Sequence, residues 1–159
     1  MTCILGIDPG LSGAVAFYFT DAPSRVAVED MPVAGKMVSA PLLSDLIRRY
    51  GPAIAVVESV GSRPGQGVSS TFRFGTAYGI AQGVIGALQI PVEFVSPQRW
   101  KKHFRLTGDK DLSRSKAQQL FPACASSFQR VKDHGRAEAA LIAKYGAETL
   151  FPHSSQAAA

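Results

Sequence analysis

Two cysteines in 159 residues, Cys3 and Cys124, are too few for a disulfide framework and stand at no metal-ligand spacing. No apolar run approaches the roughly 20 residues that a membrane span requires. The N-terminus has no basic region leading into a long apolar stretch, so no signal peptide is expected. Together these absences predict a cytoplasmic, reducing environment and no membrane partner. Acidic residues are also scarce, 12 against 17 lysines and arginines, for a net charge of +5. Such a balance favours a polyanionic partner. The chain is 46% hydrophobic and 18% charged, ordinary values for a globular protein. One domain over residues 1–150 and a flexible tail over 151–159 are expected.

The few acids stand in informative places. An apolar run from Cys3 to Ile7 ends in Asp8, and Pro9-Gly10 turns the chain at once. A second apolar run, Ala14 to Phe19, follows, so the segment reads as strand, turn and returning strand. A carboxylate at the edge of a core is costly unless paired or metal-bound. A simple Asp-Pro-Gly turn would also explain Asp8 taken alone. The pattern recurs in Ile54-Ala55-Val56-Val57-Glu58, another short β-branched run ending in an acid. Adjacent strands lie about 4.8 Å apart. Two carboxylates so placed repel each other unless a cation lies between them. Oxygen-only ligands suit Mg2+ or Mn2+. A solvent-facing glutamate at a strand end is the alternative for Glu58.

A third acidic group, Asp133-His134-Gly135-Arg136-Ala137-Glu138, opens the last helical pattern, which runs through Tyr145. Asp133 fits the N-cap position. His134 and Glu138 are four apart and share a face. A capped amphipathic helix with a wet polar face explains this cluster on its own; with Asp8 and Glu58 it forms a far more specific strand–strand–helix set.

Strands are expected near 3–8, 13–20, 25–31, 54–59 and 92–96. The first three, joined by short turns, suggest an antiparallel meander. Ser39 is a candidate N-cap for a helix to Arg49, with Leu42, Leu43, Leu46 and Ile47 on one face and Gly51-Pro52 stopping it. The helix and the next strand then make a crossover. The loop 61–70 leaves the Glu58 strand directly and carries Arg63. A second helix is expected over 71–88, with Gly75, Gly79 and Gly83 spaced by four. Close packing on another helix of the monomer or on a second copy would explain that spacing. Residues 107–113 read as a loop and 113–121 as a short helix. Cations crowd the stretch from Arg99 through Lys101, Lys102, Arg105, Lys110, Arg114 and Lys116 to Arg130, Lys132 and Arg136. A basic rim around an acidic centre suits a metal-dependent nuclease; a merely solvated basic face is the alternative. Trp100, among these cations, fits either buried packing or stacking on bases.

The segments Ile4-Leu5-Gly6-Ile7-Asp8-Pro9-Gly10, Ala55-Val56-Val57-Glu58 and Arg136 to Ala143, with Val95 to Lys102 beside them, resemble the RuvC-type Holliday-junction resolvases. These belong to the RNase H-like nuclease superfamily. The likeness runs from about Cys3 to about Tyr145. It implies an α/β fold: an RNase H-like mixed five-stranded sheet flanked by helices on both faces. It implies two Mg2+ ions per active site, replaceable by Mn2+, held by Asp8, Glu58, Glu138 and either Asp133 or His134. Bacterial members carry two aspartates three residues apart in the last motif. Here Gly135 stands three before Glu138, a variant that looks like the phage-encoded branch. A bacterial or phage protein acting in the host cytoplasm is therefore implied.

The implied reaction is hydrolysis of DNA strands at four-way junctions, by a homodimer whose dyad matches that of the junction. Asp8, on the central strand, would bridge the two ions. Asp133 or His134 would complete the set, or His134 would position the attacking water. Lys101 and Lys116 match lysines placed near the scissile phosphate. Arg63, Arg73, Arg99, Lys101, Lys102, Arg105, Lys110, Arg114 and Lys116 are the expected nucleic-acid contacts. Rival readings are a broader branched-DNA or RNA–DNA hybrid nuclease and a non-catalytic junction-binding module. An actin-like phosphotransferase would need a second phosphate loop and a longer chain.

Overall fold

A computed structural model describes residues 1–151. Seven strands form in chain order: β1 Cys3–Asp8, β2 Ala14–Phe19, β3 Val26–Asp30, β4 Val33–Ala34, β5 Met37–Val38, β6 Ile54–Glu58 and β7 Val92–Val95. The helices are α1 Ala40–Tyr50, α2 Val68–Ala87, α3 Pro97–His103, α4 Lys110–Leu120 and α5 His134–Tyr145. Two 3-10 segments, Pro122–Phe128 and Val131–Asp133, lead into α5, and a π-helical turn, Gly146–Leu150, leaves it. None of these helices is long and apolar enough to cross a membrane.

The main sheet has the order β3-β2-β1-β6-β7. β1, β2 and β3 form the expected meander, while β6 joins β1 in parallel and β7 joins β6 in parallel. Alternate side chains leave a strand on opposite faces. Leu5, Ile7, Val15, Phe17, Ala55 and Val57 face α1 and α2. Ala14, Ala16 and Tyr18 face α5 and the Phe121–Phe128 region, and Ile4 and Val56 face α5 and α3. Both faces are thus covered, which is why β1 and β2 are almost uninterrupted apolar runs.

Several boundaries differ from the sequence reading. Ser39 caps α1 through Leu42 N–H at 3.4 Å, and Gly51 closes it in the left-handed region at φ 57°. Leu42, however, is 52% exposed, because only Leu43, Leu46 and Ile47 reach the core. The small β4–β5 hairpin between β3 and α1 was not expected. α2 begins at Val68, inside the anticipated loop, and α4 begins at Lys110, where the Asp109 side chain accepts from Asp111 N–H at 2.8 Å. Of the expected tail, residues 152–159 lie outside the described residues.

Candidate active site

Ile7 pairs with Val57 in the parallel β1–β6 ladder, so one further step in each strand sets Asp8 beside Glu58. Two-residue periodicity turns both toward the α5 face, Asp8 following Ile4 and Gly6, Glu58 following Val56. α5 crosses that face with Glu138 one turn from its start. Oxygens of Asp8, Glu58 and Glu138 all lie within 4.8 Å of one another. Positions 8, 58 and 138, scattered in sequence, are gathered because the sheet aligns two strand ends and α5 packs across them.

The trio is short of positive charge. Burial raises the Asp8 carboxyl well above its usual range, and the neighbouring Glu138 and Glu58 push it further. Burial likewise raises Glu58, opposed by a hydrogen bond from Trp100, with Glu138 adding to the rise. The one ion pair to the trio among the described residues is Lys101 Nζ to Glu138 Oε1, 3.7 Å. The three converging carboxylates, with one lysine beside them, make an all-oxygen donor set suited to a hard divalent cation.

The trio lines a cleft of about 990 Å³, whose walls include the Pro9–Gly13 turn, Arg63, Arg73, Lys101, Lys110 and His134. Gly10 holds φ 133°, and a Cβ there would come 3.2 Å from the Phe74 ring, so glycine keeps the turn tight against α2.

Asp133 is placed apart from the trio. It is 1% exposed, and Arg130 occupies both of its oxygens: Nη2 to Oδ1 at 2.8 Å, backbone N–H to Oδ2 at 2.9 Å. Arg130 therefore holds the Asp133 carboxyl below its usual range despite burial. Nor does the Asp133 side chain cap α5. His134 lines the cleft instead. Its Nε2 lies 3.4 Å from Lys110 Nζ and its Nδ1 3.3 Å from Val131 O. The ammonium can only donate, so Nε2 accepts and Nδ1–H donates to the carbonyl. In that arrangement the Nε2 lone pair is turned to the Lys110 ammonium at the cleft wall. Gly135 explains the displaced acid: a Cβ there would meet Ser12 O at 2.7 Å. The Pro9–Gly13 turn fills the space a side chain at 135 would need.

Among the cations, Arg63, Arg73, Lys101 and Lys110 line the cleft. Lys116, on α4, does not; Lys110 at the start of the same helix does. Arg99, Lys102 and Arg105 are exposed outside it. Arg114 is committed to the protein, bonding Asp111 Oδ1 at 2.6 Å and Gln129 O at 2.7 Å. Arg136 likewise forks onto Asp30 at 2.7 and 2.9 Å. Trp100 is fully buried and stacks on nothing outside the fold, and its Nε1–H donates to Glu58 Oε2 at 2.6 Å. That bond was not foreseen; a tryptophan inside a strand-plus-basic segment gave no sign of a partner 42 residues away.

A meander continued by a parallel strand, with carboxylates at the two central strand ends and a helix bringing a third, defines the RNase H-like α/β class. Comparison with family models and with curated proteins finds no match. Solved structures do match. The chain superposes on Thermus thermophilus RuvC in complex with a Holliday junction substrate with TM-score 0.67 and 13% identity, over 93% of this chain and 96% of that one. The fowlpox virus Holliday junction resolvase gives TM-score 0.57 and 13% identity, over 94% and 99%. The yeast mitochondrial resolvase Ydc2 gives TM-score 0.55 and 16% identity, over 89% and 77%. Within the RNase H-like class, the chain therefore has the fold of the RuvC-type resolvases, as its motifs led us to expect.

Proposed function

We propose that this chain is a metal-dependent endonuclease that resolves four-way DNA junctions. The observation that carries the reading is the Asp8–Glu58–Glu138 group, within 4.8 Å and lining a cleft that also presents Arg63, Arg73, Lys101 and Lys110. Two Mg2+ or Mn2+ ions, when bound, supply the Lewis acidity for phosphodiester hydrolysis to 5′-phosphate and 3′-hydroxyl ends. Asp8, Glu58 and Glu138 would hold them, and His134, once its Nε2 is released from the Lys110 ammonium, would add a fourth donor in place of Asp133. Lys101 and Lys110 face the charge that develops on the phosphate. Arg63 and Arg73, with Arg99, Lys102, Arg105 and Lys116 beyond the cleft, hold DNA backbone and set register.

Two sites on a dyad fit the two cuts that a junction needs, and we assign the homodimer contact to α2. Gly75, Gly79 and Gly83 have open space where a Cβ would stand, and Phe72 and Val68 are 74% and 88% exposed.

The test is cleavage of a branch-migratable four-way junction in Mg2+, beside linear duplex, three-way and flap substrates. Paired symmetric nicks in the four-way substrate alone support the reading. Cutting of every branched form makes the enzyme a broader branched-DNA nuclease. Tight binding without cutting in any metal makes it a binding module. Asp8→Asn and Glu58→Gln should abolish cutting and leave junction binding intact; near-normal cleavage by either removes the metal-ion model.

A further inference from the structure

α3 sends consecutive side chains to two of the three carboxylates. Trp100 Nε1–H bonds Glu58 Oε2 at 2.6 Å, and Lys101 Nζ approaches Glu138 Oε1 at 3.7 Å while lying 5.2 Å from the Trp100 ring centre. The helix is itself fixed at its start, where Ser96 caps it through Arg99 N–H at 3.4 Å and Pro97 follows. The indole is clamped among Ile4, Val56, Val95, Leu141 and Ile142. Packing alone would be served by phenylalanine. A buried indole N–H needs an acceptor, and the one it has is a carboxylate of the proposed cation site, in a short, charge-assisted bond. Among the described residues no other hydrogen-bond donor reaches Glu58, so this bond alone fixes the rotation of that carboxylate.

We propose that Trp100 is a positioning residue: its N–H holds Glu58 in the orientation that lets it share a divalent cation with Asp8 and Glu138. The inference rests on reading the trio as a cation site. Groups that orient a metal ligand from behind typically change metal affinity by about ten- to a hundredfold when removed. Glu58 freed from the indole loses its fixed aim.

The experiment is Mn2+ calorimetry on the metal-free full chain. Three proteins are compared: wild type, Trp100→Phe, and protein carrying 3-benzothienylalanine at position 100, which keeps the fused ring and replaces N–H with sulfur. Both replacements should weaken Mn2+ binding about ten- to a hundredfold, with an unchanged metal-free circular dichroism spectrum. Junction cleavage should need proportionately more metal and recover its maximal rate when metal saturates. A packing role would instead alter unfolding and leave the Mn2+ affinity alone. Should Trp100→Phe not fold, the benzothienylalanine protein decides. Wild-type binding with unchanged affinity in the folded replacements overturns the role of Trp100 and spares the cation site. No Mn2+ binding by wild type overturns both.

Discussion

Gly6→Ala is the change that tests most directly how the site is assembled. Gly6 lies in β1 two residues before Asp8, on the face against which α5 packs. A Cβ at Gly6 would stand 2.6 Å from Ala143 N and 2.8 Å from Ala143 Cβ, and would also run into Ala139 O. Ordinary carbon contacts need about 3.5–4.0 Å, so the shortfall is about 1 Å. Neither side can yield by a rotamer change: β1 is hydrogen-bonded to β2 and β6, and the obstructing atoms are largely helix backbone. α5 must move outward by about that shortfall. Overpacking of this kind costs about 3 kcal/mol, the upper part of the usual range. For a domain of this size that lowers Tm by about 6–12 °C. Glu138 travels with α5, and a displacement of about 1 Å costs about a hundredfold in rate, so cleavage should suffer more than folding. Gly79→Ala is the control. Nothing lies within 4 Å of a Cβ there, and alanine gains about 1 kcal/mol in a helix, so the monomer should melt higher. Weakened self-association of the same variant would place α2 in the dimer contact. Scanning calorimetry, Mn2+ titration and junction cleavage read all of these. A Gly6→Ala protein within about 2 °C of wild type and with the same Mn2+ affinity would refute the close seating of α5 on β1.

Three further outcomes follow from the charges. His134→Ala should weaken Mn2+ binding with little loss of stability, whereas Asp133→Ala should lower Tm, because it removes the buried acceptor of the Arg130 backbone and side-chain N–H groups, and leave Mn2+ affinity nearly unchanged; the reverse pattern in calorimetry would return Asp133 to the metal set. The raised carboxyls of Asp8 and Glu58 give the metal-free protein stability that is fully present below the ordinary carboxylate range and is lost as pH rises through their folded values. Mg2+ held by the trio would relieve that repulsion, so it should raise Tm far more at about pH 8 than at about pH 5; an equal effect at both would mean that the trio is not where Mg2+ binds. On the acid side, Asp133 and Asp30, held low by Arg130 and Arg136, contribute stability that is lost as pH falls.

The parts of the site legible in the sequence were those set by short-range periodicity. Asp8 and Glu58 each end an apolar strand and Glu138 lies one turn into a helical pattern; each had a bland alternative alone, and only their combination, with the family resemblance, singled them out. Contacts made across the fold were not legible. Whether Asp133 or His134 faced the cleft depended on a 3-10 turn at Val131–Asp133 that delivers Arg130 onto Asp133. Lys110 rather than Lys116 lines the cleft because α4 begins three residues earlier than its apolar pattern indicates. The glycine inside β1 is itself a sequence signal: a glycine in a strand interior marks close approach of another backbone, here that of α5.

The indole on Glu58 has a practical consequence. Trp100 is the single tryptophan of the chain, and its N–H touches a carboxylate of the proposed cation site. The protein therefore carries its own optical probe at the place of interest. Light absorbed near the red edge of the ultraviolet band is emitted from one address, free of any background from a second indole. Proposed loading of the carboxylates, proposed docking of DNA and loosening of the third helix would each be open to test in unlabelled protein.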